Sequence, residues 1–76
     1  MTNGIADQVV AVINEWSGKD AAITDTLGKL WGDRSVPFPD AAINLAGKLN
    51  EKFHKGIQGS DLATDTIVDD VIHDVL

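Results

Sequence analysis

Two prolines separated by one residue, Pro37 and Pro39, stand directly ahead of an uninterrupted helical repeat, and this junction constrains the chain more than any other feature. The stretch Gly32 to Phe53 reads G-D-R-S-V-P-F-P-D-A-A-I-N-L-A-G-K-L-N-E-K-F. Proline lacks an N–H, so Pro39 suits a first helical turn, where that donor would have no intrahelical acceptor. Behind it Ala42, Leu45, Ala46, Leu49 and Phe53 recur at helical spacing and form one apolar stripe over residues 39–54. Phe38 precedes the repeat, and Ala42 and Ile43 lie about a turn inside it, which predicts a hydrophobic staple between loop and helix. Lys48, Lys52 and Lys55 fall at the negative end of this helix, and Gly56 is a stop.

Three further segments fit around it. Ile5, Val9, Val12, Ile13 and Trp16 share a face over residues 1–17, with Thr2 or Asn3 as cap and Ser17-Gly18 as the end. Residues 18–38 form a long connection. Ile23, Leu27, Leu30 and Trp31 predict a turn or two of helix within it, capped by Thr24 or Asp25 and weakened by Gly28. Ile57 lies four residues beyond Phe53 and is expected to plug the core. Gly59 to Leu62 reads as a short helical turn capped by Ser60 or Asp61. Residues 65–76 form a last helix burying Val68, Val71, Ile72 and Val75, with Asp65 or Thr66 as cap. No alternation of period two persists and no repeat is visible. The expected architecture is one all-α domain over residues 1–76: a small bundle of three longer helices and one short one, with a long loop between the first two.

Composition removes several functions. The net charge is -6, which argues against nucleic acid and favours basic protein partners. There is no cysteine, hence no disulfide, thiolate metal site or cysteine nucleophile, and a reducing cytoplasm is compatible. Met1 to Ile13 lacks a basic n-region and contains Asp7, unlike a secretory leader. No apolar run approaches the roughly 18 residues of a membrane span. The single stripe on each helix predicts a monomer.

Candidate chemistry is sparse. His54 and His73 read as surface histidines, because nothing converges on them to make an acid–base pair. Asp61, Asp65 and Asp69 are spaced by four and would align on a helix, but the calcium-loop pattern is absent and a solvated acidic face is the better reading. Trp16 and Trp31 read as residues that fill the core or close the small bundle rather than bind a ligand. Ser35, in the run Gly32-Asp33-Arg34-Ser35-Val36, either carries a modification or caps a turn.

The order of elements resembles the acyl carrier protein family over nearly the whole chain. Ile23-Thr24-Asp25 looks like the family's loop start. Leu30 with Gly32-Asp33-Arg34-Ser35-Val36 is similar to its Leu-Gly-x-Asp-Ser-Leu motif. Leu45, Leu49, Phe53 and Ile57 match its second-helix ladder, and Asp65-Thr66-Ile67 through Val71-Ile72 its final helix. The resemblance implies that Ser35 carries a 4′-phosphopantetheine arm holding acyl groups as thioesters, for fatty-acid, polyketide or related biosynthesis. It implies no catalysis by the chain itself, and a phosphopantetheinyl transferase and acyl-transfer enzymes as partners. Asp33 and Arg34 would assist transferase docking, with Arg34 free to pair with the phosphate. The chain departs from the pattern in two ways. Arg34 and Val36 replace the residues flanking the serine, and a gapless register from Phe53 puts Pro39 at the modified position. Keeping Ser35 requires four extra residues, about one helical turn. An alternative class follows: a protein on the same fold that lacks a usable attachment serine and works as a protein-interaction module through the loop and the lysine-bearing helix.

Overall fold

The computed structural model describes residues 4–76. The elements in order are α1 (Ile5–Ser17), α2 (Leu27–Trp31), α3 (Phe38–Phe53), a 3-10 turn (Gly59–Asp61) and α4 (Val68–Val75). The fold is all-α with three longer helices, and the long connection between α1 and α3 carries the short α2. The radius of gyration is 11.2 Å, close to the about 11 Å expected for a packed chain of this length.

α1 packs against both α3 and α4, while α2 and the 3-10 turn pack against α3. The core they enclose is built from the stripes visible in the sequence. Val9, Ile13 and Trp16 come from α1; Ala42, Leu45, Ala46 and Leu49 from α3; Val68, Val71, Ile72 and Val75 from α4. Leu27, Leu30 and Leu62 close its open side. Phe53 and Ile57 are half-buried against this cluster, so Ile57 does close the core edge as expected.

Several local expectations change. The caps proposed at Thr2 or Asn3 lie outside the described residues; Gly4 is the N-cap of α1. Thr26, not Thr24 or Asp25, caps α2, its hydroxyl accepting from the Lys29 N–H at 3.2 Å. The Asp25 carboxylate instead accepts from the Ala22 N–H at 2.9 Å. Ile23 does not join the α2 face; it is 52% exposed and its carbonyl accepts from the Asp69 N–H. The 3-10 turn is capped by Gln58, with Asp61 returning the bond to the Gln58 N–H at 3.0 Å. The last helix starts at Val68 rather than residue 65, with Ile67 as its N-cap.

The changes at α2 and α4 share a cause. The chain around Thr26 runs antiparallel to the chain around Ile67, forming an isolated bridge. Leu27 N–H donates to Thr66 O, Gly28 N–H to Thr64 O and Val68 N–H to Asp25 O, at 2.9 to 3.0 Å. The bridge satisfies backbone groups at the starts of α2 and α4 together, so neither helix extends back through it.

Candidate functional site

The segment Gly32–Pro37 joins α2 to α3 at one end of the bundle and carries Asp33, Arg34 and Ser35. Gly32 ends α2 with φ 69° and ψ -158°, a combination essentially restricted to glycine. At the other end Pro37 is the N-cap of α3 in extended conformation, and Pro39 occupies the first turn as the sequence implies. Phe38 is the first residue of α3 rather than a staple ahead of it. Its ring meets Trp16 edge-on at 6.5 Å and 82°, and Ile43 is left 61% exposed.

The two tryptophans anchor this segment. Trp16 is buried near the end of α1 and donates its indole N–H to Ala41 O at 3.0 Å, tying α1 to α3. Trp31 stacks on Trp16 with centroids 4.9 Å apart and planes at 24°. Its own indole N–H donates to Val36 O at 2.9 Å. The Arg34 guanidinium lies over the Trp31 ring, 4.4 Å from its centroid, and Nη2 donates to Ser17 O. Ser17 is the last residue of α1, so this bond places a cation on a helix C-terminal carbonyl, where the dipole favours it. Guanidinium, Trp31, Trp16 and Phe38 thus form a continuous run across the ends of three helices. The structural reading of both tryptophans holds.

Ser35 sits between two neighbours that both contact Trp31. It is exposed, and its hydroxyl makes no hydrogen bond to the described residues. The Ser35 hydroxyl therefore caps no turn, although the residue itself sits in a bend. It lies three residues ahead of Phe38, in an irregular bend and outside the first turn of α3. Asp33 is exposed and unpaired on the same bend. Arg34 is exposed, and its guanidinium lies on the Trp31 ring and donates to Ser17 O.

Beside the bend is an open hollow of about 520 Å³ lined by Gly28, Lys29, Asp33, Val36, Pro37 and Thr64 among others. A second, about 430 Å³ and more apolar, lies between Pro39, Ile43, Leu62 and Ala63, with Phe38 as the wall between them. Val36 is 41% exposed at this end, so an apolar rim adjoins the serine.

The other candidates do not assemble. His54 is the exposed C-cap of α3, and His73 is exposed on α4. Asp61 belongs to the 3-10 turn, Asp65 to the turn before α4 and Asp69 to α4 itself, so they do not share a helix face. Among the described residues no cluster of three or more His, Cys, Asp or Glu could hold a metal. None of the described helices is long and apolar enough to cross a membrane. Two contacts at this end of the bundle do not follow from the sequence: the bond from Trp31 to Val36 and the turning of Arg34 onto Trp31. The spacing of Trp31 and Arg34, three apart across a glycine, was the available signal. Comparison with known proteins finds no matching family model, curated protein or solved structure.

Proposed function

We propose that this chain is a carrier-type protein of acyl-carrier-like fold, in which a phosphopantetheinyl transferase attaches a 4′-phosphopantetheine arm to Ser35 and the arm holds an acyl group as a thioester. One observation carries the reading: the Ser35 hydroxyl is exposed and unbonded on the bend leading into the longest helix. A hydroxyl that caps no turn is available to attack the pyrophosphate of coenzyme A. Its proton passes to a base, the Ser35 oxygen bonds to the β-phosphorus, and 3′,5′-adenosine bisphosphate leaves. The hollows on either side of Phe38 give the arm and an apolar chain a surface to lie against. Asp33, exposed beside the serine, is available to a basic transferase surface. The chain itself does no chemistry in this reading; the partners are the transferase and the acyl-transfer enzymes.

A second reading rests on a different observation. Ser35 lies three residues before α3, and the adjacent cation is engaged by Trp31 and Ser17. On that basis the chain is a carrier-fold protein without an arm that meets an acidic protein surface through the exposed Lys48 and Lys52 of α3. Intact mass after incubation with coenzyme A and a broad-specificity transferase separates the two. The carrier reading expects one added arm on the wild-type chain and none on Ser35→Ala. A folded wild-type chain that stays unmodified beside a labelled control carrier selects the interaction module.

A further inference from the structure

Both neighbours of Ser35 are tied to one side chain. Residue 34 lies with its guanidinium on the Trp31 face, and residue 36 has its carbonyl on the Trp31 indole N–H. Trp31 is in turn fixed from behind by the stack on Trp16, whose N–H is held by α3. The exposed bend thus has no helix of its own to define it, yet it is clasped on each side of its central residue. Gly32 supplies the backbone conformation that lets the chain fold back over the ring. From this the geometry points to Trp31 as a positioning residue for Ser35, with Arg34 as the closing arm of the clasp. The role rests on the carrier reading of Ser35, and it differs from a charge role for Arg34 in one respect: a clasp depends on the flat face of guanidinium against indole, whereas a docking charge depends only on the positive sign.

The chemistry separates these roles. Lysine keeps the charge but has neither the planar face nor the forked donors of arginine. Phenylalanine at position 31 keeps a ring over Trp16 but has no N–H for Val36 O. Both changes leave the buried Leu27 and Leu30 untouched, so α2 retains its own core contacts. The bond following residue 34 is also a trypsin site when either Arg or Lys stands there, and a protease must pull that side chain out of the clasp to cut.

The test follows trypsin cleavage by mass in wild type, Arg34→Lys and Trp31→Phe. Cleavage after Lys48, inside α3, reports global opening in the same samples. Cleavage after residue 34 is expected to accelerate about tenfold relative to cleavage after Lys48 in both variants, as loss of roughly 1.4 kcal/mol of local closing free energy produces. Equal acceleration at both sites, or none, overturns the clasp. The same three proteins are then loaded from coenzyme A by the transferase. A positioning role expects a loading rate at saturating coenzyme A lowered about tenfold in both variants at unchanged coenzyme A KM, with Arg34→Lys giving no rescue. Wild-type rates in Arg34→Lys overturn the positioning role while the carrier reading stands. Absence of loading in the wild type overturns the carrier reading and the positioning role together, and the proteolysis still reports whether the clasp exists.

Discussion

The side-chain amide of Asn50 exchanges two hydrogen bonds with the backbone of Ile57, accepting from its N–H at 2.7 Å and donating to its carbonyl at 2.8 Å. The pair does the work of a strand contact without a strand. It holds the extended chain after α3 against the last turns of that helix and seats Ile57 on the core. Asn50→Ala leaves a half-buried N–H and C=O without partners. It is expected to cost about 2 to 3 kcal/mol, from two bonds of roughly 1 kcal/mol each plus incomplete rehydration. Asn50→Asp keeps the acceptor but, in the last turn of α3, turns a carboxylate oxygen toward the Ile57 carbonyl, and is expected to cost at least as much. Urea denaturation of the three proteins at neutral pH checks the order.

Two glycines test how far packing overrides propensity. A Cβ on Gly28 would stand 2.8 Å from both the Cβ and the carbonyl oxygen of Thr64, whose carbonyl already accepts from Gly28 N–H. Gly28→Ala must push the two chains of the bridge apart and is expected to destabilise by about 1 to 3 kcal/mol. A Cβ on Gly47, exposed in the middle of α3, meets nothing within 4 Å. Gly47→Ala is expected to stabilise by about 0.5 to 1 kcal/mol through helix propensity alone. Opposite shifts in melting temperature from the same substitution are the outcome to look for.

Much of this fold is legible in the sequence because its long helices carry their own signals. The stripes of α1 and α3 and the four buried residues of α4 follow from period alone, and Pro39 marks where α3 begins. What period cannot carry is pairing between distant segments. Gly28 looks like a flaw in a short helix until Thr64 is placed against it. Thr24, Asp25, Asp65 and Thr66 look like helix caps until the bridge of Thr26 with Ile67 takes over the backbone groups they would have satisfied. The site divides in the same way. Ser35 stands out by its local run, but the direction of the Arg34 side chain depends on a carbonyl 17 residues earlier in the chain, at the end of α1.

His54 supplies a prediction in the other direction. It terminates α3 in the left-handed region, φ 57° and ψ 49°, as the only non-glycine residue with positive φ among the described residues. Its side chain is exposed and takes part in none of the contacts that define the core. A left-handed terminus favours glycine or asparagine, whose backbones adopt it at lower cost. His54→Asn is expected to raise stability by about 0.5 to 1 kcal/mol and to leave any activity of the Ser35 bend unchanged. A melting temperature at or below that of the wild type would count against left-handed strain at this position.

Ser35 on the bend and position 39 at the helix start are the two places where an attachment serine could stand. Ser35→Ala removes an exposed hydroxyl with no intramolecular partner, so stability is expected to stay within about 0.5 kcal/mol of wild type. Any loss of loading then belongs to the chemistry. Pro39 occupies the first turn of α3, the place a gapless register with carrier proteins assigns to the modified residue. Its replacement is tolerable because the first-turn N–H it lacks has no intrahelical acceptor in any case. In the double variant Ser35→Ala with Pro39→Ser, a hydroxyl stands at the helix start and none on the bend. If the clasped bend is what the transferase reads, the double variant stays unmodified under conditions that fully load the wild type. An arm on the double variant and none on the wild type would mean that the fold retains a carrier's docking face while its own serine lies one helical turn out of register.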